Sequence, residues 1–99
     1  MKPPPAPLSL GRYPTPVFRA DALSRAGAEL WVKNDGVSAE PYGGNKVRKL
    51  ELVLADAARR GARRTVTTGA RGSHHVLATA AYARAIGVPV LALLCSQPW

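Results

Sequence analysis

The segment Gly43-Gly44-Asn45-Lys46 combines residue types that suit a ligand site beside a reactive amine. Glycines let the backbone approach a ligand closely, and the helix predicted to begin at Lys46 offers unpaired N–H groups in its first turn. The positive end of that helix, with the neighbouring Arg48 and Lys49, disfavours the ammonium form, and a neutral amine can attack a carbonyl group. The alternative is a solvated lysine that follows a simple glycine turn.

A second candidate site begins at Ser73, which is predicted to open another helix. Its N–H groups would bind a carboxylate, but a serine side chain also caps a helix without any ligand. His74 and His75 follow directly, and because neighbouring helical residues point in different directions, the two rings are poorly placed to share one metal ion. We therefore predict no metal site.

The elements that must position these residues alternate between strand and helix. Strands are predicted at 29–33, 65–68 and 88–94, and helices at 20–26, 46–60 and 73–86. Asp21 is the predicted cap of the first helix and Asn45 that of the second. This order predicts an α/β fold, a parallel sheet with flanking helices, whose last strand is apolar on both faces like a buried one.

Composition and charge limit the classes of function. Six prolines within residues 1–16 predict an extended arm, which leaves residues 17–99 as a partial α/β domain. One cysteine, no secretory signal and no long apolar run predict a cytoplasmic protein outside the membrane. The net charge of +8 allows nucleic acid or an anionic ligand as partner, but the arginine cluster at 59–64 lacks interleaved aromatic residues and fits a solvated helix end better.

The string from Gly43 to Glu51 resembles the lysine-bearing segment of the 1-aminocyclopropane-1-carboxylate deaminase and D-cysteine desulfhydrase family of pyridoxal-phosphate enzymes. Further stretches that resemble this family occur in the family's order: 13–16, 30–35, and 68–70 ahead of the serine–histidine pair. Together the stretches cover most of residues 10–95. The resemblance implies the second fold type of these enzymes, similar to the tryptophan synthase beta chain, in which two α/β domains close over the cofactor.

The resemblance also implies roles for individual residues. Lys46 would carry pyridoxal 5'-phosphate and move the substrate proton, while the cofactor ring acts as electron sink. Asn45 and His74 would lie beside the cofactor, where the family usually has asparagine in place of His74, and Ser73 would contact the substrate or act as nucleophile. The implied reaction is that of a lyase or hydrolase that converts a small amino acid to a 2-oxo acid and ammonia.

The family further requires a glycine-rich phosphate cup, a partner for the pyridine nitrogen and later tyrosines, none of which we find after residue 73. We therefore expect an N-terminal part of such an enzyme, inactive alone and homo-oligomeric in its full-length form. One alternative is a small basic module that binds nucleic acid or another anion without catalysis. Another is a truncated chain that assembles with a complementary one, which would cover strand 88–94.

Overall fold

The α/β class predicted from the sequence is confirmed by the computed structural model, which describes residues 3–97. Within these residues the chain forms four strands, β1 (Val17–Arg19), β2 (Trp31–Lys33), β3 (Thr65–Ala70) and β4 (Val90–Cys95). Two α-helices, α1 (Lys46–Arg59) and α2 (His74–Ala85), lie among them. The first two residues of the predicted arm and the last two of the predicted domain lie outside the described residues.

The strands form two separate pairs. β3 and β4 are parallel, from Thr65 opposite Val90 to Ala70 opposite Cys95, with α2 as the connection. The predicted strand at 29–33 does not join them, because its observed part, β2, pairs antiparallel with β1. β1 was not among the predicted strands, and the alternation of polar and apolar residues that identifies the strand at 29–33 does not show which strand it pairs with.

The predicted helix at 20–26 is wrong. A single 3₁₀ turn occupies Asp21–Leu23, and positive φ angles at Ala26 and Gly27 follow it. Asp21 does not cap this turn, because its carboxylate pairs with Arg19 at 2.9 Å. Seven residues are also too few to offset the unfavourable nucleation of a helix unless packing supports it.

Both predicted α-helices at 46–60 and 73–86 are confirmed, and the two pack against each other. α1 buries Val47, Leu50 and Leu54, while α2 contributes the buried Tyr82. Val53 is also an apolar residue of α1, but it is 58% exposed. The core therefore lies between one face of α1 and one face of α2, and it holds the two helices in a fixed relation.

The N-terminal arm crosses α1. Residues 3–16 contain no helix or strand, and Leu8 and Leu10 pack against the core. Glu51 secures the arm through its backbone carbonyl, which accepts from the Leu8 N–H at 3.0 Å. Its carboxylate accepts from the N–H groups of Leu10 and Gly11 at 3.0 and 2.8 Å.

β4 is the least covered strand of the parallel pair. Its pairing with β3 confirms the predicted parallel arrangement, but Leu91, Leu93 and Leu94 are each between 43% and 54% exposed. Within the described residues this strand is therefore exposed, although its composition is that of a buried one. An apolar strand with exposed faces is a surface that other polypeptide can cover.

Candidate active site

The loop before Lys46 is held from both sides by hydrogen bonds. The Gly44 N–H donates to the Asp35 carbonyl at 2.7 Å, and the buried Ser38 hydroxyl donates to the Gly44 carbonyl at 2.8 Å. Asn45 occupies the predicted cap position of α1, but its side chain makes no cap bond. Its carboxamide oxygen instead accepts from Lys46 Nζ at 3.0 Å, so it orients the lysine amine.

Ser73 is the cap of α2, as the sequence predicted. Its hydroxyl oxygen accepts from the Val76 N–H at 3.4 Å, and its own backbone is extended. The serine follows the end of β3 so closely that a Cβ on Gly69 would meet Ser73 Oγ at 2.9 Å. This places the serine at the carboxyl end of a parallel strand, the edge where open α/β sheets bind ligands.

Tyr42 joins the beginnings of the two helices. Its hydroxyl is hydrogen-bonded to His74 Nδ1, and the two rings stack with centroids 6.0 Å apart and planes inclined by 29°. The backbone carbonyl of Tyr42 accepts a hydrogen bond from the hydroxyl of Tyr82, which is 1% exposed. No spacing pattern in the sequence links either tyrosine to the site, although Tyr42 directly precedes the glycine pair.

His75 gives a second sign that the first turns of α1 and α2 are neighbours. Burial lowers the pKa of its imidazole, and the nearby charges of Lys49 and Lys46 lower it further. The ring is therefore neutral near pH 7. Its Nδ1 atom and Thr67 Oγ1 are buried without a hydrogen-bond partner in the described chain, and both residues line a groove of about 320 Å³ between α1, α2 and β3.

A groove of about 340 Å³ opens at the carboxyl ends of β3 and β4. Ala70 and Leu94 form its strand side, while Ser73, His74 and Leu77 form its helix side. Two of the four predicted site residues therefore line one groove. Asn45 and Lys46 lie at the start of α1, on the other side of the contact between Tyr42 and His74.

A charged cluster centred on Asp35 lies beneath the loop. Asp35 accepts from Thr15 Oγ1 at 2.7 Å, from Lys33 Nζ at 2.6 Å and from Arg48 at 2.8 and 3.1 Å. Arg48, expected from the sequence to repel the Lys46 ammonium, is thus neutralised by a carboxylate. The cluster ties the arm, the residues after β2 and the first turn of α1 together.

Acid is expected to weaken this cluster. Hydrogen bonds from Arg48, and then from Lys33 and Thr15, hold the pKa of Asp35 well below its usual range. A carboxyl whose pKa is depressed on folding stabilises the fold above its unfolded pKa of about 4, and this contribution disappears as the pH falls through the folded pKa. Asp35→Asn should therefore lower the melting temperature at neutral pH, and the difference from the wild type should shrink in strong acid. Thermal unfolding followed by circular dichroism measures both, and an equal difference at both pH values would contradict the prediction.

Other charged groups of the described residues pair with one another at the surface. Asp56 pairs with Arg59 and Arg60 at 2.6 Å each, so its single negative charge is shared by two of the four arginines in the cluster at 59–64. Among residues 3–97 no three histidine, cysteine or acidic side chains converge as metal ligands would. Neither helix of the described chain is long and apolar enough to cross a lipid bilayer.

These features define an α/β fold with a lysine at the start of one helix and a serine at the start of the next. Residues 8–97 match the family model of pyridoxal-phosphate dependent enzymes, and the chain belongs to this family. D-cysteine desulfhydrases of Salmonella paratyphi B (strain ATCC BAA-1250 / SPB7) and Salmonella newport (strain SL254) are each 46% identical to it over 88 residues. The match covers 88% of this chain and 27% of each relative.

The fold is similar to that in a crystal structure of an ACC deaminase homologue, with a TM-score of 0.85 at 35% identity. This match covers 91% of the present chain and 28% of the other. The chain thus spans about a quarter of the length of its curated and solved relatives. The predicted family and its cofactor are confirmed, and the described fold is part of a larger one.

Proposed function

We propose that this chain supplies the lysine-bearing part of the active site in a pyridoxal-phosphate enzyme that deaminates a small amino acid. The substrate is of the kind named by its relatives, D-cysteine or 1-aminocyclopropane-1-carboxylate. The observation that carries the proposal is the position of Lys46. It is the first residue of α1, and the loop that precedes it is joined to the start of α2 by the contact between Tyr42 and His74. An amine at one helix start is thereby linked through a single side chain to the helix start that follows Ser73, where first-turn N–H groups are free of intrahelical partners.

The described residues fit the carbonyl-reactive end of the cofactor. Lys46 is partly exposed and its amine is oriented by Asn45, so an aldehyde can reach it. Pyridoxal phosphate, when bound, supplies an electron sink for the carbanion of the substrate. Lys46 would hold the cofactor and, once released from it, carry the substrate proton on Nζ.

The start of α2 supplies the other proposed contacts. The N–H groups that follow Ser73 suit a substrate carboxylate, and the positive end of the helix favours that charge. The Ser73 hydroxyl would contact the substrate or act as nucleophile, and the His74 ring would lie beside the cofactor. We propose further that the full-length enzyme is a cytoplasmic homo-oligomer with no nucleic-acid or membrane partner.

Covalent trapping tests the proposal. The chain is mixed with pyridoxal phosphate, reduced with borohydride and mapped by peptide mass spectrometry, beside the variants Lys46→Ala and Lys49→Ala. We expect the label on the peptide containing Lys46, and we expect Lys46→Ala to lose about tenfold or more of it, since the other lysines lack this setting. Lys49→Ala removes an equivalent charge one turn further along α1 and should keep the label.

A different labelling pattern would overturn the proposal. If the label were spread over several lysines and Lys46→Ala left it unchanged, Lys46 would react no more readily with the cofactor than the other lysines do. Loss of label from Lys49→Ala as well as from Lys46→Ala would show that positive charge at the helix, rather than the position of Lys46, collects the cofactor. Circular dichroism of each variant verifies that the fold is retained.

A further inference from the structure

Tyr42 lies between the core and the candidate site. The Tyr82 hydroxyl donates to the Tyr42 carbonyl, and burial raises the pKa of the Tyr82 phenol, so this donor stays protonated. The Tyr42 side chain in turn reaches the ring of His74. A buried side chain thus fixes the backbone of Tyr42, and Tyr42 fixes an exposed imidazole at the start of α2.

The contact between Tyr42 and His74 also selects a tautomer. A phenol is a better proton donor than a neutral imidazole, and an imidazole nitrogen is a better acceptor than a phenol oxygen. The Tyr42 hydroxyl therefore donates to Nδ1, and the proton of the neutral ring resides on Nε2. The stacking of the two rings restrains the direction in which this N–H group lies.

The same tyrosine is continuous with the lysine loop. Gly43 and Gly44 follow it directly, and three residues beyond it Asn45 orients the Lys46 amine. A displacement of Tyr42 would therefore move the lysine loop and release the His74 ring together. The tyrosine is suited to keep the two helix starts at a constant separation.

We propose that Tyr42 is a positioning residue for the candidate site: it holds His74 as the Nε2–H tautomer, a fixed donor beside the cofactor, and it sets the Lys46 loop against α2. The part of this proposal that concerns the cofactor rests on the proposed function, whereas the part that concerns the His74 tautomer is independent of it. Tyr42 itself need touch neither substrate nor cofactor.

Nitrogen-15 NMR of the histidine rings tests the contact. The chain is labelled in its histidines and measured at about pH 8, where an imidazole is mostly neutral, together with Tyr42→Phe. The control is Tyr13→Phe, because the Tyr13 ring lies over the Arg48 guanidinium, 4.4 Å from the ring centroid, and phenylalanine keeps that ring. His74→Gln assigns the signals. We expect the pattern of a protonated Nε2 and a bare Nδ1 for His74, mixed tautomers in Tyr42→Phe, and no change in Tyr13→Phe. Phenylalanine keeps the stacked ring, so the comparison isolates the hydroxyl. A protonated Nδ1 in the wild type, or an unchanged tautomer in Tyr42→Phe, would overturn the proposal.

Borohydride trapping provides the second readout. Loss of one hydrogen bond should slow the labelling of Lys46 by about three- to tenfold in Tyr42→Phe, while Tyr13→Phe labels at the normal rate. Normal labelling in Tyr42→Phe would refute the role towards Lys46 even with the expected tautomer. Absence of label on Lys46 in the wild type would refute the proposed function and the cofactor part of this inference, and the NMR result would still decide the tautomer.

Discussion

Replacing Gly43 with alanine is expected to open the lysine loop and to remove most of the cofactor label from Lys46. A Cβ built on Gly43 lies 1.8 Å from the carbonyl oxygen of Gly36 and 2.7 Å from its carbonyl carbon. Both atoms belong to the backbone, so no change of rotamer can relieve the overlap. Since overpacking usually costs about 1–3 kcal/mol or more, the loop must move away from residues 35–37.

Gly61→Ala is the matched control for this prediction. Gly61 has a φ of +65° and open space around its Cβ position, so alanine there meets backbone strain of about 1–2 kcal/mol without a collision. Urea unfolding should show a larger loss for Gly43→Ala than for Gly61→Ala, and trapping should show lost label only for Gly43→Ala. Equal losses of stability with normal labelling in both would mean that the loop tolerates the added methyl group.

The parts of the fold that the sequence predicted correctly are those that neighbouring residues determine. The apolar spacing of α1, the β-branched run in β3 and the serine cap of α2 are local signals, and each matches the structure. The pairing of β1 with β2 joins residues 12 to 16 positions apart, from Arg19 opposite Trp31 to Val17 opposite Lys33, and no local pattern encodes it. The helix expected at 20–26 did not form, because in the part of the chain that the structure describes none of these residues is buried, so packing does not offset nucleation.

The candidate site shows the same division. The four residues predicted for it, Asn45, Lys46, Ser73 and His74, lie at the two helix starts, as the caps and glycines suggested. Their roles towards cofactor and substrate stay predictions. The contact that joins the two starts was missed, because a tyrosine and a histidine 32 residues apart give no spacing signal.

Leu54→Ala is expected to destabilise the core strongly. Leu54 is 0% exposed and packs in the cluster between α1 and α2. Replacing a fully buried leucine with alanine costs about 2–5 kcal/mol, which is a large part of the 5–15 kcal/mol that stabilises an ordinary domain. A chain of this length buries less of its surface than a larger one, so we expect much of the variant population to be unfolded.

Leu52→Ala tests whether position or side-chain chemistry causes this effect. Leu52 lies on the same helix but is 47% exposed, so its replacement should change the free energy of unfolding by about 0.5 kcal/mol or less.

Because Leu54 is about 12 Å along the helix axis from Lys46, it cannot contact a ligand held there. Its loss should therefore reduce labelling of Lys46 only in proportion to the unfolded fraction measured by circular dichroism. Labelling that falls while the fold is retained would place Leu54 in direct support of the site, and full labelling of an unfolded variant would show that Lys46 reacts without the fold.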